Sequence, residues 1–175
     1  MRLLRLVKYS GNFLVAAQKV ILILASLALS GVMVTEVVSR YFLGYPIWGW
    51  EELAMISAMW LYMIGAAMAA YERSHLKVEI VPLLFKDPRK ASIVDAAAIL
   101  ITLIIAGFVT YWSSSLLFWG LERGQTTPVF YIPWVVSQCS LFFASILMTV
   151  YFARDLVERI RNILRSGEPS SRRPE

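Results

Sequence analysis

The residues whose types and spacing could do chemistry form two small groups. In the first, Arg40 lies close in sequence to Glu51 and Glu52, amid Tyr41, Tyr45, Trp48 and Trp50, and Glu36 stands four residues before Arg40. An acid four positions N-terminal to a base on a helix is the better orientation for an ion pair. The first reading of Arg40 with Glu51 and Glu52 is an electrostatic clamp joining two elements. The second is a docking patch for a partner on the same face. The other group is Glu72, Arg73 and His75. Its default role is anchoring, and a pH switch is the alternative, because histidine is the side chain that titrates near neutrality.

Most enzyme chemistry is excluded by what the chain lacks. A single cysteine, Cys139, rules out an internal disulfide and a cysteine-cluster metal site. A single histidine, His75, cannot supply paired axial ligands to a haem. There is no GxSxG, HExxH, P-loop lysine or GxGxxG pattern. A rhomboid-like serine protease would need a histidine inside a hydrophobic span, where His75 does not fall. No catalytic residue, cofactor or metal is expected.

The elements that position these groups are hydrophobic rods. Of the 175 residues 58% are hydrophobic and the mean hydropathy is +0.63, which places the chain in the membrane class. Leu53 to Tyr71 carries no charge for nineteen residues. At about 1.5 Å per residue that approaches the ~30 Å hydrocarbon core of a bilayer. Small residues keep this rod slim: Ala54/Ala58, Gly65/Ala69 and Ala66/Ala70 are spaced four apart, which lets helix backbones approach in lipid. Trp60 in mid-span reads as a packing or subunit-contact residue.

The composition and spacing predict an all-α integral membrane protein with four spans, at about 13–38, 50–71, 91–112 (an extension to 119 is also compatible) and 129–152. Residues 1–166 form one domain and 167–175 a disordered tail. The apolar core of the first span is too long for a cleaved signal peptide and lacks a small-x-small exit, so it is expected to remain. Leu76 to Phe85 is too short to cross and contains Pro82, so it is expected along the membrane surface. Asp87-Pro88 suggests a helix start, Asp95 is placed in the first turn of the third helix, and Gly120 and Gly124 are expected to end it. Pro133 is placed in the opening turn of the fourth helix, with Trp134 in an aromatic belt. Ser137, Gln138 and Ser140 are candidates for interhelical hydrogen bonds.

The net charge of +5 does not indicate nucleic acid. Fifteen of the 17 basic residues lie before or at the start of the first apolar run, between the second and third, or after the fourth, and only Arg40 and Arg123 lie in the other two loops. That alternation is the positive-inside pattern and predicts both termini in the cytoplasm. The fourth helix is expected to continue past the membrane, because ARDLVERIRNILR keeps an apolar stripe. The middle of every span is free of Asp, Glu, Lys, Arg and His, which fall near the span ends. A proton relay or coupled carrier normally keeps such groups in mid-span.

The order of motifs is familiar. An arginine follows the first span, Trp50-Glu51-Glu52-Leu53 opens the second, Trp60 precedes Gly65-Ala66-Ala67 by the spacing W-x4-G-A-A, and His75-Leu76-Lys77-Val78 follows. Thr127-Pro128 and Ile132-Pro133-Trp134 come before the fourth span. From about residue 15 to 155 the chain resembles the small membrane subunit, DctQ type, of tripartite ATP-independent periplasmic (TRAP) transporters. The resemblance implies an accessory scaffold in a bacterial or archaeal inner membrane. It would pair with a large DctM-type permease subunit that holds the sodium and substrate sites, and a periplasmic binding protein would deliver an organic acid. The competing reading is an autonomous homo-oligomeric carrier or channel using Glu36, Glu51 or Glu52.

Overall fold

The computed structural model describes residues 2–45, 48–72 and 88–166. Among them there are four helices and no strands: α1 (Arg2–Tyr41), α2 (Trp50–Tyr71), α3 (Pro88–Arg123) and α4 (Val135–Ser166). All four are long and apolar enough to cross a membrane, over Leu14–Tyr41, Trp50–Tyr71, Val94–Arg123 and Val135–Arg161. The surface segment expected at Leu76–Phe85, His75, and the tail after Ser166 lie outside the described residues.

Helix ends follow local chemistry, and several differ from the expected bounds. The basic lead-in and the first span form one unbroken helix of 40 residues, about 60 Å long. Proline opens α3 at Pro88, where its missing N–H has no helical partner to lose. Asp95 is therefore two turns inside the helix rather than in its first turn. It makes an ion pair with Arg159 of α4. Gly120 does not end α3. Termination comes at Gly124, in the left-handed region at φ 57°, with its N–H donating to the Gly120 carbonyl at 3.1 Å. Pro133 precedes α4 instead of lying inside it, because residues 125–134 close on themselves as a loop.

Contacts between helices run in a row: α1 against α2, α2 against α4, α4 against α3. No Cα of α1 comes within 8 Å of α3 or α4, and none of α2 within 8 Å of α3. Sequence neighbours are antiparallel. The middle pair, α2 and α4, is parallel: Glu52 at one end reaches residues 129 and 130, and at the other end the rings of Tyr71 and Tyr151 meet edge to face at 5.3 Å. The row thus has a tryptophan end (Trp48, Trp50, Trp134) and an opposite end that carries Tyr71 and Tyr151.

Each seam is lined by small side chains. On α1 the buried positions Gln18, Ala25 and Ser39 repeat at seven and fourteen residues, while Leu24, Leu27 and Val34 are more than 60% exposed. Exposure of this kind costs nothing in lipid, where close packing rather than hydrophobicity drives association. On α3 a stripe of Ala106, Thr110, Ser113 and Gly120 faces α4. There Thr110 meets Thr149 and Ser113 meets Ser145, each hydroxyl pair at 2.9 Å. Gly120 leaves room for the Gln138 side chain, whose Oε1 lies only 2.0 Å from where a Cβ would stand.

Candidate functional site

The tryptophan end gathers the first charged group, and Glu52 is its structural centre. Glu52 sits in the first turn of α2, where a negative side chain suits the helix dipole. Its two carboxylate oxygens accept the backbone N–H groups of Val129 at 2.8 Å and Phe130 at 3.0 Å. Thr127 accepts the Ile132 N–H on its Oγ1 at 3.0 Å, and its own N–H donates to the Ile132 carbonyl at 2.9 Å. A bridge between Thr126 and Pro133, and the Trp134 N–H on the Gln125 carbonyl at 3.0 Å, complete the loop. Tyr131 takes a left-handed backbone (φ 54°) at its tip. Two successive amides pointing at one anion make a small backbone nest, and α2 supplies the anion.

The turn between α1 and α2 interlocks with this loop. Gly49 precedes α2 at φ 97°, and a Cβ there would stand 2.6 Å from Cε2 of Phe130 and 2.8 Å from Cγ1 of Val129. Only glycine permits both that dihedral and that approach. The Ser39 hydroxyl, 3% exposed, donates to the Tyr45 carbonyl and ties down the start of the same turn.

Between the two loops lies a cavity of about 490 Å³. Helix α1 contributes Glu36 and Arg40 to its wall, and α2 contributes Glu51, Glu52 and Met55. The loops close it with Trp48 and Gly49 on one side and Pro128, Val129 and Trp134 on the other. The expected clamp is not formed: among the described residues Arg40 makes no ion pair with Glu36, Glu51 or Glu52. Glu52 is instead committed to backbone amides, which satisfy a carboxylate without a cation. The join at this end is therefore anion to backbone, and it links α2 to the α3–α4 loop rather than to α1.

The other expected site residues are spread along α2 and the loop. Trp50 opens the helix with its indole Nε1 buried and, among the described residues, without a partner. Trp60, Ala66 and Ala69 are partly buried along the rod. Gly65 faces α1, with Leu22 Cδ2 3.8 Å from the position of an added Cβ, so that slim spot is used inside the chain. Pro133 and Trp134 belong to the loop held by Glu52. Among the described residues Ser137, Gln138 and Ser140 make no interhelical hydrogen bonds: Ser140 donates to the Ser137 carbonyl of its own helix at 2.7 Å, and Ser137 Oγ and Gln138 Oε1 are unpartnered. The lateral bonds lie deeper, at Thr110, Ser113, Ser145 and Thr149. Their stripe on α3 was present in the sequence as small and polar residues three or four apart. Gln18 was also missed. It is 3% exposed, and its Oε1 accepts the Tyr151 hydroxyl at 3.3 Å.

Among the described residues no three His, Cys, Asp or Glu side chains are placed to hold a metal ion. Four apolar helices in a single row, with charges confined to their ends, define a multi-pass membrane protein. A comparison with curated proteins finds no match. A family model described as Tripartite ATP-independent periplasmic transporters, DctQ component, matches residues 29–162, and the chain belongs to that family. It is accordingly the small membrane subunit of a TRAP transporter, a transport component rather than an enzyme.

Proposed function

We propose that this chain is the static accessory subunit of a sodium-driven TRAP importer of an organic acid, bracing a large permease subunit that a periplasmic binding protein supplies. In this reading the tryptophan end faces the periplasm and both termini face the cytoplasm, as the distribution of basic residues suggests. Sodium and substrate sites belong to the large subunit, and this chain carries no cofactor.

One observation carries the reading. Among the described residues the helices form an open row in which the backbone of α1 packs against neither α3 nor α4, reaching α4 through the Gln18–Tyr151 hydrogen bond, so the chain encloses no pathway of its own. The middle of each span is also free of Asp, Glu, Lys, Arg and His. A mover that drives a solute with an ion gradient requires such a pathway or such groups, whereas a brace requires flat apolar faces and rigid seams. The test is reconstitution in liposomes under an imposed sodium gradient. The chain alone is expected to give no uptake, and uptake is expected when the neighbouring permease and binding protein are added. Uptake by this chain alone would establish the autonomous carrier instead.

A further inference from the structure

The cavity at the tryptophan end presents charges of both signs that do not neutralise one another. Arg40, Glu36 and Glu51 line one wall, and none of the three has an ion pair or a side-chain hydrogen bond among the described residues. Glu52, the fourth charge, is already satisfied by Val129 and Phe130. A site for a simple cation would need only the carboxylates, and a site for an anion only the arginine. Two free carboxylates beside one free guanidinium match a ligand with an ammonium and a phosphate a few atoms apart.

The position of the cavity selects among such zwitterions. Glu51 and Glu52 immediately precede the nineteen uncharged residues Leu53–Tyr71, so the cavity stands at headgroup depth. Its floor leads toward the hydrocarbon. Met55 lies one turn deeper than Glu51 and is 49% exposed, and Met33 lies one turn deeper than Glu36 on α1 and is 50% exposed. Trp48, 80% exposed, stands at the rim as interfacial tryptophans do. A volume of about 490 Å³ falls within the usual range for small-ligand sites.

We propose that this cavity holds the headgroup of a phospholipid bearing a primary ammonium, phosphatidylethanolamine being the type. Glu36 and Glu51 accept the ammonium hydrogens, Arg40 holds the phosphate, and an acyl chain follows Met55 and Met33 into the bilayer. A primary ammonium can donate to both carboxylates, whereas the trimethylated ammonium of phosphatidylcholine cannot donate at all.

Native mass spectrometry of the full chain, delipidated and then offered dioleoyl phosphatidylethanolamine, phosphatidylcholine or phosphatidylglycerol, tests this. The wild type is expected to retain one ethanolamine lipid at least about tenfold more tightly than either competitor, the scale of one lost charged hydrogen bond. Glu36→Gln with Glu51→Gln should erase that preference, Arg40→Gln should weaken all three lipids, and Arg40→Lys should restore binding. The restoring variant separates loss of the site from loss of the fold. Equal retention of the three lipids, or an unchanged preference in the double glutamine variant, overturns the proposal. So does equally tight binding of water-soluble phosphoethanolamine, which would mark a solute site. So does a cross-link from Glu51→Cys to a basic segment of a partner protein with no lipid retained.

Discussion

Replacing Ser145 separates the two forces that hold α3 against α4. The Ser113 and Ser145 hydroxyls lie 2.9 Å apart and are 2% and 0% exposed. Each owns a single hydrogen, and each already reaches a carbonyl of its own helix: Ser113 the Thr110 carbonyl and Ser145 the Phe142 carbonyl, both at 2.9 Å. Truncation to alanine leaves Ser113 satisfied by Thr110. The expected loss is about 0.6 kcal/mol, the average for lateral bonds between membrane helices, or roughly a threefold change in equilibrium. Ser145→Leu acts differently. The position has no free surface, and the facing stripe of α3 is built from small residues, so the added carbons must push the helices apart. Overpacking of this kind costs ~1–3 kcal/mol, and a seam with no slack belongs at the upper end, on the order of a hundredfold. Unfolding of the chain in bilayer discs, measured by steric trapping with a Ser113→Ala/Ser145→Ala double-mutant cycle, reads both quantities. If Ser145→Ala is as damaging as Ser145→Leu, or the cycle gives a coupling above ~1.5 kcal/mol, hydrogen bonding rather than close approach holds the seam and the reasoning fails.

At the tryptophan end, Glu52→Ala is expected to speed amide hydrogen exchange at Val129 and Phe130, with Glu52→Gln intermediate because one of its two acceptor oxygens is lost. Glu51→Ala should leave both amides protected, and unchanged exchange in Glu52→Ala would contradict the anion-to-backbone join. Gly49→Ala should lower the melting temperature more than Gly120→Ala. The first meets a positive φ and the Phe130 ring, while the second meets only the movable amide of Gln138; the reverse order would refute the argument. At the opposite end, Asp95→Asn should cost no more than ~1 kcal/mol, since the Arg159 and Asp95 side chains are 36% and 28% exposed. Exchanging the two residues should recover the loss, which equilibrium unfolding of the swapped pair would check.

The two kinds of join were not equally legible. Glu51 and Glu52 stood out in the sequence because acids at the start of an apolar run are conspicuous, and Arg40 was the nearest opposite charge. The actual partners of Glu52 are backbone amides, which every non-proline residue carries, so no residue type could announce Val129 or Phe130. Pro133 looked like a helix opener because proline suits a first turn. The left-handed Tyr131 and the Thr127–Ile132 pairing kept it in the loop instead. Gly120 and Gly124 looked alike as helix breakers. One of them turned out to be space for Gln138, since a glycine inside a seam and a glycine after a helix differ only in what lies opposite.

By itself the sequence determined the four spans and the absence of charge at their centres, because transfer of backbone and side chains into hydrocarbon depends on local composition alone. The motif order carried the family for the same reason, being a property of the chain read in line. Only the tertiary structure decided the row α1–α2–α4–α3, the parallel pairing of its middle helices, and the freedom of Arg40, Glu36 and Glu51 around one cavity. In lipid an apolar side chain gains little by leaving one neighbour for another, so hydrophobic pattern does not select which helices meet. That choice rests on where small side chains let two backbones close, and on which polar groups come within 3 Å once they have.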